Sequence, residues 1–101
     1  MVIYSVTIKV DLDTHDEWLA WMKKEHISEV LNTGKFVKYK FHKVLADDER
    51  DGITYNVQYY ALNMSDYFDY QAEHALTLQA KTLERFKDKF VAFRTLLKEV
   101  E

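Results

Sequence analysis

Cysteine and proline are absent from this 101-residue chain, and glycine occurs only twice, at Gly34 and Gly52. Without cysteine there is no disulfide, no thiolate metal site and no thiol nucleophile. Small secreted domains lean on disulfides, so a reducing, cytoplasmic setting is the expectation. Missing proline and scarce glycine point to long regular elements joined by few turns. The start, Met1 to Val6, lacks the basic region and cleavage site of a signal peptide. No apolar run approaches the ~20 residues that cross a bilayer, so no membrane partner is expected. Charge of one sign is lacking too: the formal net charge is −3, with acids and bases mixed. A nucleic-acid binder would carry a dense basic patch, so nucleic acid is not an expected partner. There is no glycine-rich phosphate loop and no nucleophile elbow. No His-x-x-x-His or Glu-x-x-His pair occurs, and Asp66, Asp69 and Glu73 read as solvated acids favoured near a helix start. Neither a metal nor a cofactor is expected.

What is present is core material: 48% of residues are apolar and 15% aromatic. A chain of this length is expected to form a single domain over residues 1–101 with one core. Val2, Tyr4, Val6, Ile8 and Val10 alternate with Ser5, Thr7, Lys9 and Asp11, which is the period of a half-buried strand over residues 2–11. Thr14 to Glu17 matches a capping box, followed by apolar residues at helical spacing from Trp18 to Leu31. The stripe shifts near His26, where a bend is expected, and Gly34 is a natural stop. Residues 36–46 and 53–61 alternate again around a polar connection ending at Gly52. A long helix over residues 65–88, capped by Ser65 or Asn63 and breakable in its middle, carries the stripe Phe68, Ala72, Ala75, Leu76, Leu83 and Phe86, interrupted by Gln79. A last strand fills residues 89–100.

The order strand-helix-strand-strand-helix-strand is that of the α+β, ferredoxin-like fold, with a four-stranded antiparallel sheet and both helices on one face. The opposite face is predicted to show Ser5, Thr7, Lys40, His42, Asn56, Gln58, Tyr60 and Arg94. That set is polar but lightly charged, and the last strand is nearly apolar on both sides. A second copy of the chain is the simplest cover, giving a homodimer through the sheet face.

The segments Val2 to Thr7, Glu25-His26-Ile27 with Val30-Leu31, Thr33 to Phe36, Ile53-Thr54-Tyr55 with Val57-Gln58-Tyr59, and Lys89 to Leu97 carry a resemblance. End to end, the chain resembles a family of small bacterial proteins described only as a domain of unknown function. That family in turn looks like a member of the dimeric α/β-barrel superfamily, in which two ferredoxin-like sheets pack face to face. The superfamily includes cofactor-free monooxygenases, haem-degrading enzymes, isomerases and ligand-binding regulators. The resemblance implies the fold and the dimer; it carries over no catalytic residue.

Two histidines are candidate bases. His26 follows Glu25 at the expected bend, and its plainer reading is a helix-end histidine stabilised by nearby carbonyls or one packed in the core. His42 lies on the polar sheet face beside Lys40, and its plainer role is that of an interface or edge residue. Arg94, set in an apolar run, is either paired with an acid such as Glu25 or aimed into a cavity as an anion site. Lys40, Gln58, Tyr60 and Trp21 complete the candidate ligand-binding set. Trp18 and Trp21 are expected to face different directions, with one reaching a cavity or partner. Two functions stand side by side. One is a dimer that binds a small aromatic or acidic molecule between sheet and helices, with cofactor-independent monooxygenase- or isomerase-like chemistry. The other is a non-catalytic structural or interaction dimer with no cavity.

Overall fold

The computed structural model describes residues 1–100. Strand β1 (Val2–Asp11) leads to helix α1 (His15–Trp21), a π-helical turn (Met22–His26) and α2 (Ile27–Leu31). Strands β2 (Lys38–Lys43) and β3 (Gly52–Ala61) follow. Then come α3 (Met64–Tyr70), a second π turn (Gln71–Ala75), α4 (Leu76–Phe86) and β4 (Phe90–Lys98). The strands form one antiparallel sheet in the order β2-β3-β1-β4. This is the ferredoxin-like α+β fold expected from the element order. Among the described residues no helix is long and apolar enough to cross a membrane.

Register decides which residues share a face, because residues directly opposite in an antiparallel pair point the same way. Val6 stands opposite Val57 on one side and Arg94 on the other. The helix-covered face therefore holds Tyr4, Val6, Ile8 and Val10 of β1 with Tyr55, Val57 and Tyr59 of β3, all buried. Helix residues Trp18, Met22, Ile27, Val30, Leu78 and Phe86 close the core from above. The two tryptophans are both buried but pack on different neighbours, Trp18 against Phe41 and Tyr55, Trp21 against Phe86.

Arg94 belongs to this helix-side face, not to the open one, because it lies opposite Val6. Strand β4 is apolar on both sides, so alternation alone could not choose between them. The residues it gives the open face are Val91, Phe93, Thr95 and Leu97, the last two opposite Ser5 and Ile3. That face is thus polar across β2 and β3 and apolar along β4, where Val91 and Phe93 are 68% and 64% exposed.

The helix starts differ from one another. Thr14 has helical backbone angles, and its hydroxyl donates to Asp13 Oδ1 instead of accepting a helix amide, so no capping box forms. Asn63 is extended, and its Oδ1 accepts the Asp66 N–H at 2.9 Å. Each helical rod is broken by a π turn. In the first, the Ile27 N–H bonds the Met22 carbonyl, five residues back. The wide turn lets core residues step by five, from Met22 to Ile27 and from Tyr70 to Ala75. The second turn also changes which residues face the core: Leu78 and Phe86 are buried, whereas Phe68, Leu76 and Leu83 of the expected stripe face solvent. Asp88, with φ at 64°, ends that rod and turns the chain into β4.

Candidate functional site

Between sheet and helices lies a cavity of about 50 Å³. That is several times the roughly 10–15 Å³ that one water needs. Its apolar walls come from the core, including Trp18 and Val57, and its polar groups include His26, Tyr4, Tyr59, Tyr70, Gln79 and Arg94. Each is placed by a feature already described. β1 and β3 turn Tyr4 and Tyr59 inward by register, and the edge strand β4 turns Arg94 the same way. The first π turn ends on His26, and α4 supplies Gln79 one residue after buried Leu78.

Arg94 donates through Nε to the Tyr4 hydroxyl at 3.0 Å. Glu25, the carboxylate expected beside Arg94, instead stands 3.9 Å from Arg85. Arg94 is also exposed, not buried, and it stands on the edge strand β4. Burial raises the Tyr4 pKa, with Arg94 and then Gln79 partly opposing it. Burial also holds the Tyr59 and Tyr70 hydroxyls firmly protonated.

His26 stacks on Trp21, with ring centroids 4.6 Å apart and planes 21° from parallel. Burial lowers its pKa from 6.5 to about 4; Glu29 opposes this, while Arg94 and Lys81 add to it. His26 is therefore uncharged at neutral pH. Its Nδ1 and the Tyr59 hydroxyl are buried with no hydrogen-bond partner. Most buried polar groups are paired, so two unpaired ones on the wall of one cavity stand out.

The candidate residues divide between the two faces of the sheet. His26 and Arg94 meet in the cavity, with Trp21 stacked behind His26. His42, Lys40, Gln58 and Tyr60 lie on the open face. There Tyr60 donates to Gln58 Oε1 at 2.9 Å, and Lys38 and Lys40 sit over its ring at 4.7 and 5.7 Å. Asn56 Nδ2 donates to Ser5 Oγ at 2.9 Å and to Thr7 Oγ1 at 3.1 Å, so the middle of that face satisfies much of its own hydrogen bonding. Tyr4 and Gln79 are cavity residues that sequence reasoning did not select. Gln79 had left a signal, as the polar break in an apolar stripe; Tyr4 had none, since it alternates with the core residues of β1.

The family described as Domain of unknown function (DUF4286) matches residues 1–100. No curated protein matches the chain. Among solved structures, HapK from Hahella chejuensis aligns with a TM-score of 0.69 at 13% identity, over 99% of this chain and 93% of that one. A mutant of SnoaB, a cofactor-independent oxygenase from Streptomyces nogalater, aligns at 0.67 and 11% identity, over 99% and 94%. A dimeric ferredoxin-like protein from an uncultured marine organism aligns at 0.69 and 15% identity, over 100% and 96%. Identities this low make the likeness one of fold.

Proposed function

We propose that this chain, which belongs to the family described as Domain of unknown function (DUF4286), is a homodimer of the α/β-barrel type that binds a small organic molecule in the cavity between its sheet and helices. The observation that carries this reading is the pair of unpartnered buried atoms, His26 Nδ1 and the Tyr59 hydroxyl, on the wall of a cavity that also holds Arg94. The Arg94–Tyr4 pair is suited to a ligand oxygen that bears or develops negative charge. An uncharged His26 is suited to accept a proton from such a ligand. Together they support cofactor-independent chemistry on an acidic substrate, either proton transfer or reaction with oxygen. The fold shared with a cofactor-independent oxygenase supports the second of these by analogy.

The dimer draws support from the exposed apolar row of β4 and from the dimeric ferredoxin-like protein of the same fold. Native mass spectrometry of gently purified protein tests both parts. A dimer mass carrying a small-molecule adduct is expected. The adduct should be lost in an Arg94→Gln variant whose circular dichroism is unchanged. An adduct-free dimer whose crystal structure shows the cavity filled by side chains would establish instead a dimer that only presents surfaces.

A further inference from the structure

We infer that the cavity is built for a small carboxylate of only a few non-hydrogen atoms, and that His26 takes up a proton as this anion enters. The inference rests on the ligand-binding reading and names the class of ligand for the same site.

Charge sets the class. Arg94 is the one permanently charged side chain on the cavity wall, and no aspartate or glutamate lines it. The nearby acids are engaged elsewhere: Glu29 with Lys81 at 2.6 Å, and Glu17 and Glu25 with Arg85 at 3.6 and 3.9 Å. Nε of Arg94 is used on Tyr4. Among the described residues, no carboxylate pairs with its terminal nitrogens. A planar guanidinium fork matches a carboxylate better than any other small anion of carbon, oxygen and hydrogen. Size and wall chemistry set the rest. About 50 Å³ admits roughly four waters, or one anion of about that many non-hydrogen atoms, and the remaining wall is largely aromatic and aliphatic.

The proton follows from placement. Around His26 stand Glu29 on α2, Lys81 on α4 and Arg94 on β4. The phenols of Tyr4, Tyr59 and Tyr70 come from β1, β3 and α3. In the free protein the imidazole is half-buried with Nδ1 shut off from solvent, and two cations oppose its charge while one acid favours it. A carboxylate on Arg94 cancels the larger of the two cationic effects and adds a negative charge inside the same small cavity. An opposite charge within ~4–6 Å typically moves a pKa by about 1–3 units toward the charged form. The imidazolium Nδ1–H then gains a partner where Nδ1 has none now. No bond other than that to the proton is made or broken, and the proton comes from solvent.

Titration calorimetry of the intact protein with acetate, and with acetamide as its neutral counterpart, tests this. At pH 6.5, runs in buffers of different ionisation enthalpy should show acetate binding with uptake of a substantial fraction of a proton. Its affinity should rise several-fold between pH 7.5 and 5.5. His26→Gln should still bind acetate, without proton uptake and without that pH dependence; His26→Asn serves if the first variant folds poorly. Arg94→Gln should weaken acetate at least ten-fold and acetamide little. Acetamide binding as tightly as acetate, or uptake that persists without His26, would overturn the inference and leave the ligand site standing. If neither compound binds, the inference fails, and the adduct in the native mass spectrum decides separately whether the ligand reading fails too.

Discussion

The Tyr59 hydroxyl sits in the core with nothing to bond, and an unpaired buried hydroxyl costs about 1–3 kcal/mol. Tyr59→Phe should therefore stabilise the ligand-free protein, by roughly 1 kcal/mol in urea unfolding, while weakening whatever binds in the cavity. Unchanged or lower stability would mean that the hydroxyl is satisfied. His26 imposes a different cost. Its folded pKa of about 4 lies below the unfolded value of 6.5, so between those limits the unfolded chain holds more protons. Stability is complete above pH 6.5 and falls as pH drops toward 4. At 1.36 kcal/mol per unit this amounts to roughly 3 kcal/mol. Asp13, Asp47 and Asp48, whose pKa values are lowered chiefly by hydrogen bonds, lose stability in the same direction at lower pH. The measurement is therefore a difference: His26→Gln should lose less stability than the parent between pH 7 and 4.5. At this scale the sequence was readable in part. His26 and Arg94 stood out as polar residues in apolar settings, but that they meet depends on the face β4 presents, which its two apolar sides concealed.

Both glycines are fixed by their elements, for different reasons. Gly34 ends the first rod at φ 78° with open space where a Cβ would sit, so Gly34→Ala should cost only the left-handed strain, about 1–2 kcal/mol. Gly52 opens β3 with its missing Cβ only 2.6 Å from the Val10 carbonyl oxygen, so Gly52→Ala must push backbone apart and should cost more. Chemical denaturation of the two variants checks the order. Strands β1 and β3 were legible because their alternation is uninterrupted. The rods were legible as helices but not in phase. A step of five between apolar residues, Met22 to Ile27 or Tyr70 to Ala75, is the trace a π turn leaves in sequence. Against a regular 3.6-residue period it registers only as a shifted stripe. That shift misassigned Phe68, Leu76 and Leu83 to the core side.

At the scale of the whole molecule, topology followed from element order alone, since short turns and right-handed crossovers leave few alternatives. The open face was only half legible: its polar half was named residue by residue, and its apolar half on β4 was not. That half yields the sharpest test of association. Phe93 is 64% exposed, so Phe93→Glu should scarcely alter the stability of an isolated protomer. In the proposed dimer it would bury a charge, and light scattering should return a monomer at micromolar protein. A variant that stays dimeric would rule out this face as the contact.

Strand β4 also serves two compartments at once. Phe93 and Thr95 face the side proposed for the partner, and Arg94 between them faces the cavity. One stretch of backbone cannot shift for one neighbour without being felt by the other. Association and occupancy should then be thermodynamically reciprocal: an anion that steadies Arg94 should tighten the dimer by the same factor as dimerisation tightens the anion. Sedimentation at rising acetate concentrations should show the dissociation constant of the dimer falling, and with Arg94→Gln it should stay flat.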